Sequence, residues 1–268
     1  MLEADINGAK TFVLDRGTAV EKARLAALTG NSAAPIAAAV EEFGQSQRRD
    51  GGWAPFWHES ASSVDATCFT LAQLEQLGAS APAIITAAVR YLQGQQHDDG
   101  YFQESLALTA EAPKWARPGH FPATVYLTAN AALWLTYDGA ESSTAVRARN
   151  WLLQHAEAGR LPGYVQSTWL FAASLLCAGQ QAAAQPLLEF LDGQVDDMDA
   201  AGLSWMGTSL IVGQASPAHL LLHRVAESLT TKQGDDGGWH SADEAWQDVH
   251  STLEAIRILL YHKEGRPR

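Results

Sequence analysis

The feature that most constrains this chain is a short turn that recurs along it. It reads Gln47-Arg48-Arg49-Asp50-Gly51-Gly52-Trp53, then Gln96-His97-Asp98-Asp99-Gly100-Tyr101, then Gln233-Gly234-Asp235-Asp236-Gly237-Gly238-Trp239. The Asp before glycine falls at 50, 99 and 236, so the first interval is 49 residues and the second is 137, close to three periods of about 46. A period of that length is one helical pair, and two degenerate copies are expected between the second turn and the third. Asp ahead of glycine is turn chemistry: the carboxylate bonds nearby backbone N–H groups and glycine supplies a positive φ. The Trp is expected to bury its ring between helices and the Gln amide to satisfy helix-end groups. A feature present in every repeat stabilises every repeat, so the role read here is structural, not catalytic.

Between the turns run apolar segments that open near a Ser or Thr: 62–77, 121–135, 164–179, 203–213 and 248–260. They are apolar nearly all round, as helices buried on several faces are. Amphipathic helices alternate with them at about 33–46, 82–94, 142–157, 182–192 and 217–232. A further pair, about 3–13 and 17–28, ends at Thr29-Gly30 with glycine in the C-terminal cap. Twelve helices, with the apolar set inside and the amphipathic set outside, make an all-α α6/α6 toroid spanning residues 1–268. Strand signals are nearly absent. The long irregular stretch 100–121 reads as a functional or mobile loop.

Composition narrows the partners. Acidic residues outnumber basic ones by 30 to 18, a net charge of −12 that repels a phosphate backbone, so nucleic acid is not expected. No run reaches the length of a membrane span, and the beginning of the chain lacks a signal-peptide layout. Cys68 and Cys177 lie in apolar runs, as reduced core cysteines do, which points to the cytoplasm.

Gln47 to Trp53 and Gln233 to Trp239 resemble the QW repeats of squalene–hopene and oxidosqualene cyclases, and similar glycine-rich turns occur in protein prenyltransferase β subunits. The resemblance covers about 33–262, with Tyr101 standing for Trp in a weaker copy. It implies the toroid, and with it a central cavity. Ser63-Val64-Asp65-Ala66-Thr67 is similar to the Asp-Val-Asp-Asp-Thr stretch of class II terpene cyclases, whose middle Asp protonates the terminal alkene or epoxide. Asp65 aligns with that Asp, while Ser63 and Ala66 replace its flanking aspartates. Asp65 also reads as an N-cap or first-turn carboxylate on the helix dipole.

Other residues join the candidate site. His250 and His120 precede inner helices and are candidates for proton transfer near neutral pH, His250 in a catalytic role and His120 in contact with substrate. Trp115, Phe121, Tyr126, Tyr164, Trp169 and Trp205, together with Trp134, supply aromatic faces that stabilise a carbocation or simply pack. Asp196-Asp197-Met198-Asp199 matches neither terpene-cyclase motif order and reads as a solvated turn before a helix. Inner segments 63–77, 122–137, 165–178 and 203–213 contain no Lys or Arg, so the wall reads as neutral.

The leading expectation is a metal-free and cofactor-free enzyme that cyclises a small hydrophobic polyene. A toroid that binds an apolar ligand or protein partner without chemistry is the alternative. A zinc enzyme using Asp65, Cys68, Asp248 and His250 is the third reading, although those positions are one residue out of register with the prenyltransferase ligands. Oligomeric state is not encoded in any of these signals.

Overall fold

The computed structural model describes residues 4–30, 33–78, 81–242 and 244–264. The chain is all-helical over them, with no strand and only two isolated bridges. Six outer helices are α1 (Ile6–Arg16), α3 (Ala33–Ser46), α5 (Pro82–Gln95), α7 (Ser143–His155), α9 (Gln181–Asp192) and α11 (Leu220–Thr231). Six inner helices are α2 (Ala19–Leu28), α4 (Val64–Gln76), α6 (Phe121–Gly139), α8 (Val165–Cys177), α10 (Ala200–Val212) and α12 (Asp248–Glu264). Each inner helix packs on the next, and α12 packs on both α10 and α2, which closes the ring. Side chains of α6 and α10 are buried around most of their circumference, while α9 and α11 bury one stripe and leave charge outside.

Helix limits follow local capping. The expected first helix began at residue 3, outside the described residues; α1 starts later because Asp5 caps it, its carboxylate accepting from Asn7 N and Gly8 N. Asp199 caps α10 at Gly202 N, so that helix begins before residue 203.

The repeated turn fastens one outer helix to the next. Gln47 Nε2 donates to Gly51 O within its own turn and to Ile84 O of α5; Gln96 does the same with Gly100 O and Thr144 O, and Gln233 with Gly237 O and Asp5 O. Gly51 and Gly237 adopt φ of +92° and +87°, and a Cβ on them would lie 2.3 Å from Ala87 O and 2.5 Å from the Gly8 carbonyl carbon. Only glycine fits so close a backbone approach. Trp53 and Trp239 are buried, and each indole N–H donates to the carbonyl ten residues earlier, Phe43 O at 3.1 Å and Leu229 O at 2.8 Å.

The Thr of the inner helices completes the device. Thr67, Thr128 and Thr252 each donate to a carbonyl of the preceding helical turn and accept from the backbone N of Trp53, Phe102 and Trp239. This corrects the register of the second copy: Phe102, fully buried, takes the Trp position, and Tyr101 stands where the other copies have their second glycine. A third copy runs from His155 to Leu161, with Gly159 at φ +75° and Leu161 N bonded to Thr168 Oγ1. After α9 the turn is replaced by a 3-10 turn, Val195–Asp197, and Gly193 has an ordinary negative φ.

Candidate active site

The start of α4 shows what Asp65 is free to do. An α-helix leaves its first four N–H groups without helical partners. Here Ser63 is the N-cap: its own N donates to Trp53 O at 2.9 Å, and its Oγ accepts from Ala66 N at 3.1 Å. Val64 N and Asp65 N donate to the carboxylate of Glu104, at 2.9 and 3.0 Å, and Ser63 Oγ donates to it at 2.7 Å. All four donors are satisfied without the Asp65 side chain. The N-cap reading of Asp65 is therefore corrected; its carboxyl turns instead toward α6, where Tyr126 Oη donates to Oδ1 at 2.8 Å and Asn130 Nδ2 at 3.4 Å.

Burial pushes Asp65 up to about 6, against the two hydrogen bonds that favour its ionised form. Glu104, 1% exposed, is pushed up to about 7, again by burial first, with its three donors and the neighbouring Asp65 acting in opposite senses. Two carboxyls on one helix end thus titrate near neutrality, and the charge that remains there is favoured by the helix dipole.

Aromatic rings extend from this point around the inner wall. Trp115 and Tyr164 both meet Tyr126 edge to face, at 6.2 and 6.4 Å between centroids. Phe69, one turn along α4 from Asp65, is 44% exposed and lies 5.2 Å from the ring of His250 on α12. That contact reaches past α2, which stands between α4 and α12 in the ring, so it crosses the interior. Trp205 of α10 lies 6.0 Å from the same imidazole. Asp65, Trp115, Tyr126, Tyr164, Trp205 and His250 therefore share the N-terminal end of the inner ring.

Three expected residues stand elsewhere or differently. Phe121 is not on the inner wall: it is 46% exposed and packs on Trp151 and His155 of α7, because the first residue of α6 faces the outer layer. Trp169 is 2% exposed and serves as core. His120 precedes α6 without capping it, and its buried Nδ1 has no partner among the described residues.

His250 accepts a hydrogen bond from Arg24 Nη1 at Nδ1, 3.1 Å away, and burial followed by Arg24 pushes its pKa down to about 4. It is a neutral imidazole at pH 7. Arg24 also donates to Gln76 Oε1 at 2.6 Å and to Glu254 Oε1 at 2.8 Å, while Arg257 meets Glu75 at 2.6 Å. Outside the four segments that lack Lys and Arg, α2 and α12 bring Arg24, Arg257 and Glu254 against the carboxyl end of α4, all buried, with Arg24 ion-paired to Glu254 and Arg257 to Glu75. The zinc reading fails on geometry. Asp248 is held by His240 Nδ1 and Ser241 N, Asp65 by Tyr126, and Cys68 is core; no cluster able to hold a metal forms among the described residues. Asp196 pairs with Arg224 at a 3-10 turn, as a solvated turn would.

The 100–121 stretch is fastened down. Phe102, Leu108, Ala112 and Ala116 are buried, Glu104 holds α4, Trp115 meets α6, and Glu111 pairs with His58 at 2.7 Å. It covers the gap between the starts of α4 and α6. Sequence reasoning missed Glu104, Asn130 and Phe69. Phe69 follows Asp65 by four residues and Asn130 follows Tyr126 by four, each pair on one helical face, and that spacing is the signal that could have found them.

Among solved structures the chain is similar to a variant of the type II terpene cyclase MstE from Scytonema in complex with geranylgeranyl dihydroxybenzoate, with a TM-score of 0.66, 16% identity and 97% of each chain covered. It is similar to the ligand-free form of that enzyme, with a TM-score of 0.64, 15% identity and 97% and 98% covered. A protein from Actinoplanes gives 0.65, with 17% identity and 94% and 98% covered. These likenesses carry the helical toroid fold. No curated protein matches the chain. No helix among the described residues is long and apolar enough to cross a membrane. Residues 21–230 match the family model of the A-macroglobulin TED domain, and the chain belongs to that family.

Proposed function

We propose that the ring is a proton-initiated cyclase of an apolar polyene, a cytoplasmic isomerase in which Asp65 is the general acid. The observation that carries this is the release of Asp65 from helix capping: Ser63 and Glu104 satisfy the helix end, and a carboxyl raised to about 6 is left facing aromatic surface. Both donors, Tyr126 and Asn130, bond Oδ1, so the transferable proton belongs on Oδ2. Protonation of a terminal alkene moves that proton to the less substituted carbon and places the cation on the more substituted one. The next double bond then supplies its π pair to form the ring bond. The Tyr126 and Asn130 hydrogen bonds stabilise the carboxylate left behind. Phe69, Trp115, Tyr164 and Trp205 offer ring faces to the cation, and His250, held neutral, adds no competing charge. Loss of a proton from the cyclised cation to the Asp65 carboxylate restores the acid.

The solved relative bound to a geranylgeranyl aromatic acid makes prenylated aromatic acids the first substrates to try, with squalene beside them. Product isomers are read by mass spectrometry and NMR. Asp65→Asn is expected to lower turnover by at least about 10²-fold while substrate affinity stays within about twofold. Undiminished turnover in Asp65→Asn overturns the acid assignment. Ser63 and Ala66, which stand where class II cyclases carry carboxylates, favour the second reading, a toroid that binds the polyene without cyclising it. Saturable binding with no isomer formed by the native chain establishes that reading instead.

A further inference from the structure

The third copy of the repeated turn has lost its filling side chains. Its place in the repeat is fixed by two contacts. Leu161 N bonds Thr168 Oγ1 at 3.1 Å as Trp53 N bonds Thr67 and Trp239 N bonds Thr252, and a Cβ on Gly159 would lie 2.5 Å from Pro186 O of α9, much as one on Gly51 would lie 2.3 Å from Ala87 O of α5. Leu161 therefore stands where the first and last copies bury an indole and the second buries Phe102, and His155 stands where all three place a Gln amide. The carbonyl ten residues before the indole, which accepts its N–H in those copies, is here Trp151 O, and it takes up His155 Nδ1 at 2.8 Å.

Leucine has neither the reach nor the breadth of tryptophan. Beside Leu161 and Thr168 lies a half-open cleft of about 720 Å³, lined from α7, α8, α9 and the start of α6. That volume is within the range of small-molecule sites. Phe121 and Phe190 give it aromatic walls, and Arg160 and Gln194 polar edges; the Arg160 guanidinium lies 5.9 Å from the centre of the Phe190 ring. Phe121, misassigned to the central wall by its sequence position, packs on Trp151 and His155 with one part of its ring and leaves 46% of its surface exposed here.

We propose that this cleft is a second binding site, for a planar aromatic molecule of about the size of an indole carrying an N–H or O–H group. The class follows from the repeat: at the position of Leu161 two other copies carry a buried tryptophan, and this copy sets the smaller leucine beside the aromatic walls and polar edges of the cleft. The site is independent of the chemistry proposed for Asp65.

Indole is the probe. Titrated into the ¹⁵N-labelled chain, it is expected to give saturable shifts at the amides of Gly163, Val165 and Thr168, and to give the same shifts in Asp65→Asn. Leu161→Trp restores the filled repeat and is expected to abolish those shifts. Phe121→Ala, at an exposed position, serves if Leu161→Trp does not fold, and is expected to weaken binding at least fivefold. Absence of saturable shifts in the native chain overturns the proposal. So does a response centred on Asp65 and Phe69, or binding unchanged in these variants.

Discussion

Glu104 accepts only from donors: Oε1 from Ser63 Oγ and Asp65 N, Oε2 from Val64 N. An amide cannot replace it, because its NH₂ would be set against a backbone N–H on one side or against Ser63 and Asp65 on the other. Glu104→Gln is therefore expected to cost about 1–3 kcal/mol, read by denaturant unfolding, despite its identical shape. Protonation equilibria at this end of the ring oppose one another. Asp65 and Glu104 have raised folded pKa values, so their contribution to stability is complete below pH 4 and is lost as pH rises through about 6 to 7. His250 has a lowered one, so its contribution is complete above pH 6.5 and is lost as pH falls toward about 4. His250→Asn removes the second effect. Relative to the native chain, this variant is expected to gain on the order of 2 kcal/mol between pH 7 and pH 5, measured by chemical denaturation at each pH.

Among the elements, the turn between α11 and α12 shows how closely the repeat is seated. Gly237 lies at φ +87° with the α1 backbone 2.5 Å from where a Cβ would be, and Gly238 faces the ring of Phe12 at 2.6 Å. Gly237→Ala is expected to destabilise by about 2 kcal/mol or more, whereas Gly94→Ala in α5, which meets nothing within 4 Å, is expected to stabilise by up to about 1 kcal/mol; thermal melts of the pair check this. The helical pairs were legible because each inner run is apolar nearly all round and each outer run on one side. Their starts were less so, since a cap such as Asp199 precedes any periodicity. The second turn was misread by one position because its first aromatic, Tyr101, follows a single glycine; the Thr128 hydrogen bond, which identifies Phe102, is invisible in one dimension. The place of Asp65 in the first turn of an inner helix was legible through its neighbours in sequence. Glu104 was not, because it reaches α4 from 39 residues away through an irregular strand of chain that carries no periodicity.

For the molecule as a whole, closure rests on the meeting of its first and last helical pairs. Gln233 bonds Asp5 through both amide atoms, Nε2 to Asp5 O at 2.9 Å and Oε1 from Asp5 N at 2.7 Å, and Arg16 meets Asp236 at 3.0 Å. Gln233→Ala is expected to cost about 1–2 kcal/mol, and to speed hydrogen exchange in α1 and α2 before it does so in α6 or α8. The close seating of each turn glycine on the next outer helix has a further result. An open array can discard a small angular error at its free end, but a closed one returns it to its own beginning. A side chain too many at Gly51 or Gly159 therefore acts like a tooth of the wrong width in a gear, and the misfit is felt where Gln233 reaches for Asp5.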